Sequence, residues 1–308
     1  MQFALTQEQS AIWEMSHAFG CDQIAPFARQ WENDGTIPKS LWLKAAELGL
    51  GGIYVSEEGG GSGLSRLDAT LVFEAIGMAC PSVSAFLSIH NMCGGMIDTF
   101  GNESSKAKWL PSLCSMKKIF SYCLTEPGSG SDAAALKTRA KRTNVGYQLT
   151  GTKAFISGGS YSDAYIVMCR TGDNSPKGIS AMIVETDADG ISYGAPEDKM
   201  GWRSQPTTQV QFDSCKVSSR NLLGEEGKGF AYAMAGLDGG RLNIAASALG
   251  GAQAALNQTL NYMNERKAFG KTLNEFQALQ FKIAELEVKL QSSRVFLRQA
   301  AWKLDNKE

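Results

Sequence analysis

At 308 residues the chain is longer than one hydrophobic core usually serves, so two or three domains are expected. Hydrophobic residues at 43% and charged residues at 20% match an ordinary globular protein and exclude a disordered or membrane-embedded one. With 30 basic and 31 acidic side chains the net charge is −1, so no overall attraction to nucleic acid or an anionic membrane is built in.

The first residues, MQFALTQEQSAIWEM, carry no positive charge and no apolar run. Neither a secretory leader nor an Arg-rich transit peptide is visible there, and an intracellular protein is expected. Thr6 followed by Gln9 is a capping-box pattern, and helical stretches then alternate with breaks at Pro38, Gly59 to Gly63, Pro81, Gly101 and Pro111. Residues 1–118 therefore read as an N-terminal all-helical domain. The runs YQLTGTKAFIS, AYIVMCR, GISAMIVE and TTQVQF are rich in β-branched and aromatic residues and are separated by turn signals. Residues 119–222 read as a central β domain, a barrel or sandwich.

Helical spacing returns over residues 223–308. Leu242 to Asn264 is uncharged but too polar for a bilayer span, which predicts a buried helix. Phe276, Leu279, Ile283, Leu286, Leu290, Leu297 and Leu304 then fall on a heptad seam. That helix runs into LDNKE with no glycine cap, while its seam needs a partner, so the C-terminal helical bundle is expected to be incomplete. The fold class is α+β: helical, then β, then helical.

Seven cysteines with no C-x-x-C pair argue against a disulfide framework or a structural zinc site and read as reduced, mostly buried thiols. The histidines are His17 and His90, and His90 with Cys93 reads as core packing, so no metal is expected. Gly270-Lys271-Thr272 resembles the end of a phosphate-binding loop, but Glu265 stands where its first glycine belongs. Gly128-Ser129-Gly130 lacks the third glycine of a dinucleotide fingerprint and lies between β segments.

The string YCLTEPGSGSD, Tyr122 to Asp132, is more informative. A loop joining two domains would account for Pro127 and Gly128. A strand edge bearing Tyr122 and Leu124, the hydroxyls of Thr125 and Ser131, and glycine-freed N–H groups also suit a flat aromatic ring with a pyrophosphate behind it, as in a flavin. These residues resemble the first signature of the acyl-CoA dehydrogenases. KAFIS-G at Lys153 to Gly158, ERKAFGK-x₄-FQ from Glu265 to Gln277 and the helical, β, helical order resemble the same family. SRLDATLVFEA and SIHNMC are most similar to its members acting on isobutyryl-CoA and other short or branched acyl chains.

The resemblance implies FAD as cofactor. Tyr122, Leu124 and Thr125 would line its isoalloxazine, Gly130 and Ser131 would lie near the pyrophosphate, and Phe155, Ile156 and Ser157 would close the other side. Arg266, Phe269, Phe276 and Gln277 would reach the FAD of a neighbouring subunit, implying a homotetramer; a solvated surface turn is the alternative for that stretch. Ser131, Asp238, Gly239, Gly240 and Arg241 are similar to the family's acyl-CoA contacts, although Asp238 to Gly240 would also suit a helix start.

The implied reaction is α,β-dehydrogenation of an acyl-CoA to the 2-enoyl-CoA. A carboxylate takes the α-proton, the β-hydrogen leaves as hydride to the flavin, and electrons pass on to an electron-transfer flavoprotein. No catalytic base is assigned within the chain. The family's glutamate is expected beyond Glu308, and at the alternative position, before Arg241, stands Gly240. A non-catalytic FAD- or acyl-CoA-binding fragment and a flavin oxidase on the same fold remain open. The expected location is the cytoplasm for a bacterial chain or the mitochondrial matrix for a processed eukaryotic one.

Overall fold

The computed structural model describes residues 4–308; Met1 to Phe3, the start of the stretch read for a leader, lie outside the described residues. The helices are α1 (Gln7–Phe19), α2 (Ala28–Asp34), α3 (Lys39–Glu47), α4 (Arg66–Ala79), α5 (Pro81–Phe100), α6 (Glu103–Cys114), α7 (Gly229–Glu265) and α8 (Gln277–Asp305). The strands are β1 (Phe120–Cys123), β2 (Arg139–Thr143), β3 (Gly146–Ser157), β4 (Ala164–Arg170), β5 (Ile179–Glu185), β6 (Ile191–Tyr193), β7 (Thr207–Ser218), β8 (Leu222–Leu223), β9 (Lys267–Ala268) and β10 (Lys271–Thr272). Helices thus precede and follow a strand-rich middle, and the chain divides into two compact units.

Among the described residues, one unit holds 4–29, 65–85 and 241–308. The capping box forms as read: the Thr6 hydroxyl accepts from the Gln9 N–H, and the Gln9 side chain accepts from the Thr6 N–H. Pro81 opens α5, because Cys80 before it is extended. The stretch from Leu242 belongs to the 37-residue α7 but is buried on one face only: Asn243, Ala246, Ser247, Leu249 and Gly250 are buried, whereas Ile244, Leu260 and Tyr262 are exposed. The buried face meets α4 closely. A Cβ on Gly77 would stand 2.6 Å from the Ser247 carbonyl oxygen, and the Ser84 and Ser247 hydroxyls share a 2.7 Å hydrogen bond.

On α8 the buried line is Leu290, Arg294, Leu297 and Ala301 rather than the full heptad seam, and Leu286 is 46% exposed. The reason is an ion pair that periodicity does not reveal. The Arg294 Nε donates at 2.7 Å to Glu74 on α4, its Nη2 donates at 2.8 Å to Gln253 on α7, and both charged residues are less than a tenth exposed. The helix is rotated to seat that guanidinium. Replacing Arg294 with methionine would leave the buried Glu74 carboxylate with the more distant Arg298 guanidinium, 3.8 Å away, as its remaining ion-pair partner among the described residues, so Arg294→Met is expected to cost about 3 kcal/mol in urea unfolding.

The other unit holds residues 30–64 and 86–240. Its sheet has eight strands in the order β6-β7-β3-β2-β4-β5-β8, with β1 added parallel to β4. Every residue of β4 is buried, so the strand lies between two apolar layers. Ala164, Ile166 and Met168 face a core shared with α5 and α6, while Tyr165, Val167 and Cys169 face one shared with β3 and β7. The sheet is therefore folded over its second core, as a barrel or sandwich requires. β7 alternates instead, with Val210, Phe212, Cys215 and Val217 inward and Gln211, Lys216 and Ser218 outward.

Pro111 does not break the chain as expected; α6 continues through it to Cys114. Trp109, Leu110 and Leu113 are buried on either side, and a proline one turn from a helix end forfeits a single backbone bond that this packing outweighs. Six cysteines are buried and Cys21 is exposed. No helix among the described residues is long and apolar enough to cross a membrane.

His90 ties α5 to both neighbours: its Nδ1 accepts the Phe120 N–H at 3.1 Å, and its Nε2 lies 3.0 Å from the Leu113 carbonyl. Both ring nitrogens are thereby occupied by backbone groups. Burial pushes the imidazole pKa down from 6.5 to about 4, with the carbonyls of Leu113 and Gly51 opposing. Below pH 6.5 the unfolded chain protonates this side chain while the folded one does not. Its contribution is therefore complete above pH 6.5 and lost as pH falls towards 4, about 3 kcal/mol in all. Urea unfolding from pH 7 to 4 is expected to show that decline, and His90→Gln to abolish this part of it.

Candidate functional site

The site begins where β1 leaves the sheet. Tyr122 and Leu124 share one face by strand alternation, and Leu124 is nearly buried. The Tyr122 hydroxyl is buried without a hydrogen-bond partner among the described residues, and burial pushes its phenol pKa up, with Cys93 and Cys123 adding to the shift. Beyond β1, the chain makes a tight turn in which Glu126 and Ser129 exchange backbone hydrogen bonds of 3.0 and 3.1 Å. The Ser129 hydroxyl donates to the Asp132 carbonyl at 2.6 Å. Gly130 and Ser131 remain exposed, and a Cβ added to Gly130 would meet nothing within 4 Å.

β3 supplies the second side. Its register against β7 slips between Lys153 and Ile156, and Phe155 sits in the bulge at φ +56° with its ring 64% exposed. A bulge re-aims side chains and backbone donors together. Here the Ala154 N–H leaves the β7 ladder and donates to the Thr125 carbonyl at 2.8 Å. Among the described residues no protein group takes up the Thr125 N–H or hydroxyl, although the residue is half-buried. The structure thus brings Tyr122, Leu124, Thr125, Gly130, Ser131, Phe155, Ile156 and Ser157 into one unit around one strand end.

Gly158 closes that bulge at φ +75°, and a Cβ there would lie 2.5 Å from the Ser162 hydroxyl and 2.7 Å from the Phe86 ring. Strained backbone and overpacking therefore coincide at one position. Gly158→Ala is expected to lower stability by about 2–4 kcal/mol in chemical unfolding.

Three charged residues that the sequence reading missed hold the turn from within. The Lys153 side chain, 0% exposed, donates at 3.0 Å to the Leu124 carbonyl and at 2.8 Å to Glu126. Glu126 also accepts the Lys137 and Thr138 N–H groups at 2.6 and 2.9 Å. Burial opposes the Glu126 charge, but Lys153 and these hydrogen bonds outweigh it and hold the carboxyl below its ordinary range. Burial also pulls the Lys153 ammonium down, with Glu126 opposing. Arg170 is buried too, and its guanidinium donates to the carbonyls of Ala134, Leu136, Asp173 and Ser175. The available signal was a charge at an otherwise apolar strand position: Lys153 before AFIS and Arg170 closing AYIVMC.

Asp238, Gly239 and Gly240 lie in this unit, Arg241 in the other. They are not a helix start, because α7 begins at Gly229. Gly236 and Gly240 face α5, where added Cβ atoms would meet Met96 and Met92 sulfurs at 2.9 and 3.3 Å. Asp238, two residues from Gly240, points to another side of the helix.

Arg266, Phe269, Phe276 and Gln277 gather on the β9–β10 hairpin and the start of α8 in the first unit. Phe269 is 95% exposed at φ +52°, meets Phe276 edge-on at 6.3 Å, and the Lys271 ammonium lies 4.2 Å from the Phe276 ring centroid.

A flavin fits the residues present around β1. Among the described residues, Thr125 offers an unused N–H and hydroxyl for a ring edge, Tyr122 a phenol without a partner, and the Gly130 turn open space beside its backbone.

Comparison with known proteins gives three family matches: residues 6–117 match "Acyl-CoA dehydrogenase, N-terminal domain", residues 121–215 the middle domain and residues 227–308 the C-terminal domain. The mitochondrial isobutyryl-CoA dehydrogenase of Dictyostelium discoideum is 50% identical over 305 residues, 99% of this chain and 73% of that protein. Among solved structures, butyryl-CoA dehydrogenase from Megasphaera elsdenii superposes with a TM-score of 0.96 at 37% identity, covering 100% of this chain and 82% of that one. PigA with FAD and proline superposes with a TM-score of 0.95 at 30% identity over 100% of this chain and 82% of its own.

Proposed function

Because the chain belongs to the acyl-CoA dehydrogenase family, we propose that it binds FAD at the end of β1 and dehydrogenates a short or branched-chain acyl-CoA, isobutyryl-CoA first, to the 2-enoyl-CoA. The observation that carries this reading is Thr125, half-buried beside the Phe155 bulge, with an N–H and a hydroxyl that no group among the described residues uses. FAD, when bound, supplies the acceptor for the β-hydrogen, taken as hydride.

The protein's own residues bind and orient. Thr125 hydrogen-bonds the ring edge and biases its electron affinity; Tyr122, Leu124, Phe155, Ile156 and Ser157 shield the ring from water; Gly130 and Ser131 present N–H groups to the diphosphate. Ser131 and the run Asp238 to Arg241 take the acyl-CoA, with Gly239 and Gly240 letting the pantetheine arm approach the backbone. Arg266, Phe269, Phe276 and Gln277 reach the cofactor of another copy of the chain, which makes the active form a homotetramer. The α-proton requires a carboxylate base, and at position 240, one of the places where the family puts its glutamate, this chain has glycine. Electrons leave to an electron-transfer flavoprotein. The setting is the mitochondrial matrix in a eukaryote or the cytoplasm in a bacterium.

The test is anaerobic addition of isobutyryl-CoA and of butyryl-CoA to the purified yellow protein. Bleaching of the long-wavelength flavin band, fastest with isobutyryl-CoA, is expected; yellow protein that neither thioester bleaches would reduce the reading to cofactor binding without turnover. Reoxidation is expected to be faster with electron-transfer flavoprotein than with oxygen, and equal rates would mark an oxidase. Thr125→Ala is expected to slow bleaching about tenfold, the worth of one hydrogen bond of about 1.4 kcal/mol.

A further inference from the structure

Lys153 occupies an inward position on β3, the last residue paired with β7 before the bulge. A lysine there is costly to bury, and an ion pair with Glu126 stabilises little more than two apolar residues of the same volume. Its use must be sought in what it touches. The ammonium donates to the Leu124 carbonyl and to the Glu126 carboxylate, and the next residue's N–H, on Ala154, takes the Thr125 carbonyl. Glu126 in turn fixes the returning chain through the Lys137 and Thr138 N–H groups. The carbonyls at 124 and 125 are thereby turned into the protein, and what Thr125 has left for a ligand is its backbone N–H donor and a hydroxyl that can donate or accept.

We propose that Lys153, paired with Glu126, is a positioning residue for the flavin: from inside the sheet it fixes the orientation of the Leu124–Glu126 backbone so that Thr125 presents its N–H and hydroxyl to the ring edge. This rests on the FAD reading given above. Because the pair carries no net charge, it aims the donors while adding only the shorter-ranged field of a dipole rather than that of an unpaired charge. Breaking it on either side exposes one: Lys153→Met leaves a carboxylate behind Thr125, and Glu126→Gln leaves an ammonium.

The test measures FAD affinity of the apoprotein, the absorbance and visible circular dichroism of the bound flavin, and its reduction potential, for Lys153→Met, Glu126→Gln and the double variant. The double variant buries no unpaired charge and so keeps a folded protein available should a single variant fail. Affinity is expected to fall at least tenfold in each, with the dichroism band altered. The potential is expected to drop in Lys153→Met and rise in Glu126→Gln, since a nearby negative charge disfavours an electron-rich ring and a positive one favours it. Variants that unfold at lower temperature yet hold FAD with unchanged affinity, dichroism and potential would overturn the positioning role and leave the FAD reading intact. A wild-type protein that takes up no FAD would overturn both.

Discussion

Where a strand end turns its carbonyls decides what it can offer a ligand. At Leu124 and Thr125 both carbonyls point inward, one to a buried ammonium and one to a backbone N–H released by a bulge. Several other features follow from that arrangement. The bulge needs Phe155 at positive φ and a glycine at 158; the ammonium needs Glu126; and Glu126 fixes the start of the segment that leads into β2. Arg170 then holds Ala134 and Leu136 from the same interior. A charged scaffold lies beneath a turn whose outer surface is small and polar, which is what a ligand with an aromatic head and an anionic tail requires.

The order helical, β, helical was legible because alternation and turn signals are local properties. The long strands announced themselves by β-branched runs, and Thr6 and Gln9 formed the cap their spacing promises. The short edge strands β6 and β8 gave no comparable signal, because their existence depends on what they pair with. Much of the candidate site was legible for another reason: a glycine- and hydroxyl-rich string is visible in sequence even when its partners are distant. Lys153 and Arg170 were not, since an isolated charge in a strand looks like a solvent-facing position until the strand's burial is known.

The helical errors share a cause. Pro111 sits within α6 and Leu286 lies outside the buried line of α8, because tertiary contacts outweighed the local rule in each case. On α8 the contact is electrostatic: Glu74 draws Arg294 inward and the helix turns with it, leaving Phe281, Val288, Val295 and Trp302 exposed at seven-residue intervals. A heptad reading has no means of choosing between two such stripes when a buried arginine makes the choice.

The distribution of the sulfhydryls has a practical corollary. Cys21 alone is at the surface, whereas the other six lie in the interior. A maleimide dye added to the native protein would mark one site, so a fluorophore can be placed on the helical turn after α1 without mutagenesis. Every additional equivalent of dye taken up would report a molecule that has opened its core, which turns ordinary labelling stoichiometry into a gauge of sample integrity.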